Sequence, residues 1–589
     1  MTAITTDEKD RLDFDWQTTK RLAHYLTPNK TRIYWALFAS LISAVANVVG
    51  PPIIGWAVDQ GVHTQNLSVV GLGVFGYLAT QGIGALAFRI QITLMAQAGQ
   101  RAIQDLRDDL FSHIQHLSIS FFAKYETGRL IARIINDVNT LREAITWAVV
   151  GTFRDLLSLI GVVITMLLIN LPLTFVAFAV LVVLAFVANV WRVYARTTYL
   201  RVVETNSKLN AELAEAFNGV RVTQAFNRQA HNLDRFNTTF NERNRAANLR
   251  ATLVASLFFP SIELIGGVAT GLMIYVGGTL VLQQQLSIFT LLTFVLYIDQ
   301  FFQPIRQLAQ RYNLFQSVMA AGDKLFHLLD RPIEISDQPG ADTLPRITGA
   351  VQFDHVNFRY DTEDEDAPVL HDVSLDVPAG TTVALVGHTG AGKSTMIKLI
   401  MRFHDVVDGT VKIDGVDVRN VAQTSLRSQM GVVLQETYLF SGTVMDNIRY
   451  GRLNATDEEV IEAAQAVGAH DFISALEKGY HTEVREGGSL LSQGQKQLLA
   501  FARALLADPR ILILDEATSN IDTQTEKLIQ TALARLLEGR TSFVIAHRLS
   551  TIVNSDLIVV MDHGRIIEQG SHLELLAKNG AYAGMYTMI

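Results

Sequence analysis

"TTVALVGHTGAGKSTMIKLIMRF", residues 381–403, changes its hydrophobic period twice in a short stretch. TTVALVG reads as a buried strand, HTGAGKS as a glycine-rich loop, and TMIKLIMRF as a helix whose apolar residues recur at helical spacing. Strand, loop of the pattern GxxxxGK[ST], then helix is the order a phosphate-binding Walker A loop requires. In that arrangement the backbone N–H groups of Gly387, His388, Thr389, Gly390, Ala391 and Gly392 converge on phosphate oxygens, and Lys393 brings a cation to the β and γ phosphates of a nucleotide. Ser394 supplies a hydroxyl ligand for Mg²⁺, and Thr395 belongs to the same helix start.

Working outward from the loop, the second half of the chain carries matching pieces. "ILILDE" (511–516) places Asp515 and Glu516 at the end of a run of β-formers, as in a fully buried parallel strand. Asp515 is expected to hold Mg²⁺ through water, and Glu516 to orient or deprotonate an attacking water. His547 ends another apolar run, "FVIAHRL", where a neutral imidazole can meet a γ-phosphate. "LSQGQ" (491–495) raises a separate question, because it too looks like a phosphate-binding helix start. Ser492 and the backbone of Gly494 and Gln495 would offer donors at the positive end of a helix dipole. One chain thus carries two phosphate grips and one nucleotide loop.

The first half is of another kind. A chain of 589 residues needs at least two folding units. Before about residue 325 the sequence holds uncharged apolar runs of membrane-spanning length; beyond about 348 charges and turn residues break the apolar pattern as in a soluble domain. The net charge of −8 averages over these halves and points to no nucleic-acid partner. Without cysteine there is no disulfide, no thiolate catalysis and no cysteine-ligated metal. Residues 1–28 lack the apolar stretch of a signal peptide, so an uncleaved cytoplasmic N-terminus is expected.

Six segments meet the length and charge criteria for spans: 33–58, 67–88, 145–169, 173–191, 253–282 and 286–302. The connections 59–66, 170–172 and 283–285 are short and free of Lys and Arg, whereas the other two are long and rich in them, with ten between Arg192 and Arg250. The positive-inside bias then puts the long connections and both termini in the cytoplasm. Helical spacing in "QRAIQDLRDDLFSHIQHL" and "NSKLNAELAEAFNGV" extends the spans into the cytoplasm. The interruptions at 117–130 and 215–226 are either plain hairpin turns or docking knobs, the latter because Phe121, Phe122 and Tyr125 would otherwise be exposed aromatics. Of the charges in the spans, Asp299 is placed about 20 Å and Glu263 about 28 Å from the outer ends at 1.5 Å per residue, so Asp299 alone lies well inside hydrocarbon. It either faces a transport pathway or forms a structural pair. Arg154 and Asp155 lie near the inner boundary, where snorkelling is expected. Pro51, Pro52, Pro260 and Pro304 mark expected kinks.

Taken together these motifs resemble those of an ATP-binding cassette exporter half-transporter. In family order they are Tyr360 of "VNFRY" for the aromatic that stacks on adenine, "GHTGAGKST", Gln435 of "GVVLQETYLF" for the Q-loop, "LSQGQ", "ILILDE", "SNID" (519–522) and His547. The resemblance implies an α-helical six-span transmembrane domain with long cytoplasmic helical extensions (29–325), a linker (326–347) and an α/β P-loop nucleotide-binding domain (348–589). It implies ATP and Mg²⁺ as cofactors, with Ser394, Gln435 and Asp515 at the metal and Lys393, Glu516 and His547 in catalysis. It also answers the question of the second grip: Ser492, Gly494 and Gln495 cap the ATP of a partner subunit, so a complete machine needs two chains. Gln493 stands where the family's signature most often has glycine, and Glu486 is framed unlike the usual pattern. Such departures are commoner in heterodimers, which favours a heterodimer over a homodimer. The implied activity is ATP-driven export of an amphipathic small molecule, lipid or peptide across the cytoplasmic membrane. An ATP-gated channel or a membrane-anchored ATPase regulator are the alternatives.

Overall fold

The computed structural model describes residues 16–143, 145, 150–360, 368–435, 437–488, 490–515, 523–546 and 549–588. The chain forms two compact units, one running to Gln115 and including Tyr125–Arg331, the other made of His116–Lys124 and the chain from Pro332 onward.

The first unit is helical: α1 (Trp16–Leu26), α2 (Lys30–Thr64), α3 (Leu67–His116), α4 (Ile119–Lys124, which belongs to the second unit), α5 (Val150–Ile169), α6 (Leu171–Asn218), α7 (Glu242–Leu282) and α8 (Ile288–Leu329), with short helices between some of them. Among the described residues six helical stretches are long and apolar enough to cross a membrane, and the expected spans fall on them, residues 146–149 of the third lying outside the described residues. At 1.5 Å per residue the 50 residues of α3 reach about 75 Å, far beyond a hydrocarbon core of about 30 Å. α3, and by the same measure α6 and α7, therefore continue past the membrane without a break. α6 and α7 pack along each other, α2 packs on α5, and α8 packs against α2, α5 and α7. Met166, Leu173, Phe294, Tyr297 and Phe301 are buried between helices. Trp35, Phe38, Phe75, Val182 and Phe186 point outward, as suits a surface solvated by lipid tails.

The expectation that Arg154 and Asp155 snorkel to the boundary is overturned. Asp155 is buried and takes Nη1 of Arg311 at 2.7 Å and Nη2 of Arg154 at 3.0 Å. The Arg154 guanidinium also lies 4.6 Å from the centre of the Phe88 ring. Two cations and a ring hold the carboxylate inside, which meets the requirement that a buried charge be paired. Gly151 makes room for this, since a Cβ there would come within 2.8 Å of Arg311 Nη2.

The second unit is α/β. A six-stranded sheet has the order β12-β11-β3-β10-β9-β6, and a four-stranded antiparallel sheet the order β2-β1-β4-β5. The strands are β1 (Val351–Phe358), β2 (Leu370–Val377), β3 (Thr382–Val386), β4 (Asp408–Ile413), β5 (Val416–Asp417), β6 (Met430–Val433), β7 (Gly442–Thr443), β8 (Glu483–Val484), β9 (Ile511–Asp515), β10 (Thr541–Ile545), β11 (Leu557–Asp562) and β12 (Arg565–Gly570). In the large sheet β6, β9, β10, β3 and β11 run parallel, buried on both faces, which is why they read as unbroken apolar runs. Alternation splits the core in two. Val383, Leu385, Ile513 and Phe543 face one cluster, and Ala384, Val386, Leu514 and Val544 the other. Helix α9 (Lys393–Ile400) packs into the first cluster and helix α10 (Gln493–Leu506) into the second.

The segment 326–347, expected as a linker, divides between the units. Helix α8 runs into it as far as Leu329, and Leu344 and Ile347 are buried in the nucleotide-domain core. Arg402, itself 2% exposed, donates to the Ser336 carbonyl at 3.2 Å and lies 3.6 Å from Asp337. Prolines and the missing helical period describe this segment's path, not freedom from contact.

Within the membrane unit, Pro51 and Pro52 lie inside the continuous helix α2. Lacking N–H groups, they leave the carbonyls four residues earlier, on Asn47 and Val48, without helical donors. Helix α8 supplies both: Tyr297 Oη donates to Val48 O at 2.7 Å, and Gln300 Nε2 to Asn47 O at 3.2 Å. Water is absent from hydrocarbon, so these two side chains are what allows the proline pair there. Tyr297→Phe should therefore lower the thermal unfolding midpoint of the protein in lipid nanodiscs, in line with a cost of about 1–3 kcal/mol for an orphaned buried acceptor. A wild-type midpoint would show that another donor serves Val48.

Candidate functional site

The loop between β3 and α9 takes the shape its glycines permit. Gly387 has φ of 151° and an added Cβ would lie 2.2 Å from Met561 O; Gly392 has φ of 103° and would meet Leu370 Cδ2 at 2.7 Å. Neither position admits a side chain, for conformation and for space. His388, Thr389 and Gly390 are exposed along the crest, whereas Ala391 is buried and its carbonyl accepts from Gly564 N at 3.2 Å. Lys393, the first residue of α9, folds back so that Nζ donates to Gly387 O at 2.6 Å and His388 O at 2.9 Å. Burial holds its pKa below the usual lysine value, and the Asp515 carboxylate acts in the opposite direction. Thr395 is buried, while Ser394 is exposed at the helix start.

Tyr360 follows β1 and is held by α9. Its hydroxyl is 3.0 Å from Thr395 Oγ1 and accepts from Lys398 Nζ at 3.4 Å, and its ring stands edge-on to Phe358 and His404. Lys398 and His404 were not legible as site residues; the available signal was that Thr395 and Lys398 are three apart and share a helix face. Burial, and then the Lys398 charge, hold the His404 pKa below the usual histidine value. Asp515 is the last residue of β9, and Gln435 is exposed two positions past β6, the parallel neighbour of β9. Loop, Gln435 and Asp515 thus gather at the carboxyl ends of parallel strands, where open α/β sheets bind ligands. A hydroxyl, an amide and a carboxylate are oxygen donors of the class Mg²⁺ takes. Glu516, His547 and the SNID segment lie outside the described residues; Glu516 directly follows β9, and His547 comes shortly after β10.

Ser492 is the N-cap of α10. A reciprocal capping box joins Gln495 N to Ser492 Oγ at 3.2 Å and Ser492 N to Gln495 Oε1 at 2.9 Å. The Gln495 N–H, expected as a phosphate donor, is therefore engaged by the cap within this chain. Gly494 is buried and Gln493 is exposed at the first helical position. Lys496 donates to Gly487 O at 2.6 Å, tying the preceding glycine turn to the helix.

Comparison with known proteins gives concordant results for both halves. The family described as "ABC transporter transmembrane region" matches residues 33–305, and that described as "ABC transporter" matches residues 370–519. The chain is 43% identical to an uncharacterized ABC transporter ATP-binding protein, YknV, of Bacillus subtilis, over 99% of this chain and 96% of that one. The chain belongs to the ABC transporter family. It is 37% identical to an ATP-dependent lipid A-core flippase of Syntrophus aciditrophicus over 97% of this chain and 94% of that one. A solved bacterial Atm1-family ABC exporter with ATP bound is 30% identical, with a TM-score of 0.81, over 95% of this chain and 98% of that one. The protein is an ABC exporter half-transporter: an integral membrane domain followed by an ATP-binding domain whose family couples ATP hydrolysis to transport.

The crowding at Gly387 generates a prediction for this ABC transporter. Gly387→Ala should abolish ATP binding, measured by equilibrium binding of a fluorescent ATP analogue, because the added methyl collides with the Met561 carbonyl and displaces the loop. Retained affinity would show that the loop grips phosphate without the conformation seen here.

Proposed function

We propose that this half-transporter is one of two subunits of an ATP-driven exporter, and that its signature helix α10 closes on ATP held by the partner's loop. The observation that carries this is the placement of the two grips: α9 and α10 pack into core clusters on opposite faces of one sheet. With a sheet between their bodies, the two helices of one chain cannot converge on one γ-phosphate from facing sides; two copies packed head to tail can. In this reading Lys393 and the loop backbone from Gly387 to Gly392 bind ATP, Tyr360 stacks on adenine, and Ser394, Gln435 and Asp515 serve Mg²⁺, which neutralises charge developing on the phosphates. Glu516 orients the attacking water and His547 contacts the γ-phosphate. Gln493 in place of the usual glycine favours a second, different subunit.

The cargo is an amphipathic or lipid-like molecule, a class supported by the lipid A-core flippase relative. The lysine- and arginine-rich connections support a cytoplasmic membrane location with both termini in the cytoplasm. Two turns then meet nucleotide domains. His116–Lys124 is part of the same compact unit as the nucleotide domain, with Phe121 buried and Ser120 Oγ donating to Glu334 Oε2 at 2.6 Å. The turn near Phe217 leaves Phe217 and Phe226 more than 70% exposed, and this apolar surface beyond the spans suits docking on the partner's domain.

Turnover and trapping test the assignment. Glu516→Gln should stop hydrolysis while retaining bound ATP, and Lys393→Ala should prevent productive binding; unchanged turnover in Glu516→Gln sinks the catalytic role. The cysteine-free chain allows a second check. With Asn218→Cys and Thr437→Cys in the same chain, oxidation should give no crosslink within that chain, and an efficient internal crosslink would mean that the turn near Phe217 docks on its own domain.

A further inference from the structure

A cavity of about 280 Å³ lies between α7 and α8 along their apolar stretches, with Asp299 inside its span and Glu263 toward the inner end of its own. Its lining combines Glu263 and Asp299 with Arg306, the apolar side chains of Ile262 and Phe302, and the backbone of Gly266. Arg306 Nη2 donates to Asp299 Oδ1 at 3.0 Å, which answers one of the two carboxylates. Glu263 pairs with no cation among the described residues, and Asp299, despite its partner, keeps a side chain 83% exposed. Two carboxylates against one guanidinium leave one negative charge in excess. In a span this is tolerable only toward a water-filled cavity or an incoming counter-charge. The wall beside Glu263 is also open: a Cβ added at Gly266 or Gly267 would meet nothing within 4 Å.

We infer that this cavity is a cargo site for amphiphiles bearing a single positive charge, with Glu263 as the unpaired counter-ion, Asp299 held in place by Arg306, and Ile262 and Phe302 receiving the apolar body. The inference rests on the export reading and names its substrate class. An anionic head would face both carboxylates, and a neutral one would leave Glu263 uncompensated.

The test uses the full-length transporter in neutral-lipid nanodiscs and two probes of the same shape and opposite charge, tetraphenylphosphonium and tetraphenylborate. The wild-type protein should bind the cation more tightly. Glu263→Gln should weaken tetraphenylphosphonium by about tenfold, the size of one modest charge contact, and should strengthen tetraphenylborate, while leaving basal ATP hydrolysis unchanged. Glu263→Lys should reverse the preference. Gly266→Leu, which grows into open space, should weaken both probes. Wild-type tetraphenylphosphonium affinity in Glu263→Gln, or wild-type affinity for both probes in Gly266→Leu, overturns the site. ATP-driven transport of the probes is measured beside binding. Charge-selective binding with no ATP-driven movement overturns the export reading alone, whereas transport without charge selectivity overturns this site alone.

Discussion

Alternation along the strands of the six-stranded sheet sends Leu385 and Ile513 to one face and Val386 and Leu514 to the other, and each face recruits its own helix. On one side α9 begins at the phosphate loop; on the other α10 begins at a capped serine with its own helix-dipole field. This two-sidedness is the constraint from which the rest follows. A phosphate held by the loop has its own signature helix on the other side of the sheet, and in the proposed reading the second grip therefore serves another nucleotide domain. A machine working as proposed would bring two domains together around ATP and let them part after hydrolysis, and anything coupled to that motion would have to reach out of the membrane. The lengths of α3, α6 and α7, at 50, 48 and 41 residues, suit them to that part in the proposed reading.

The membrane unit obeys a different rule: with no water in hydrocarbon, every polar group there needs a protein partner or a cavity. Carbonyls released by Pro51 and Pro52 find Tyr297 and Gln300, and Asp155 finds Arg154 and Arg311. Helix α8 supplies a partner in each instance, Arg311 included, beside Arg154 of α5. The charged group at Glu263, Asp299 and Arg306 is incompletely paired and open, which is why the proposed cargo site is placed there.

What was legible in the sequence was local. The loop at 387–395 could be read because a strand, glycines at fixed offsets, a lysine and a helix all fall within a few consecutive residues. The same holds for the run before Asp515 and for the length of the spans. Contacts between distant positions were not legible. Arg311 is 156 residues from Asp155, and no periodicity links them, so Asp155 read as a boundary charge. The use of Tyr297 to cover Val48 spans 249 residues. The capping box at Ser492 and Gln495 was hidden differently, since the spacing also suits phosphate contact and only geometry shows the Gln495 N–H already engaged.

The claim that the two grips belong to different sites is tested most directly by photolabelling from the γ-phosphate of a reactive ATP analogue, in complexes purified so that one subunit alone is the Lys393→Ala variant of this chain. That variant cannot hold nucleotide in its own loop, yet its signature helix should still be labelled between Gly487 and Leu506, because the label arrives on ATP bound by the intact partner. Loss of label from the variant's own signature helix, with label elsewhere retained, would mean that each chain caps its own nucleotide and would contradict the account.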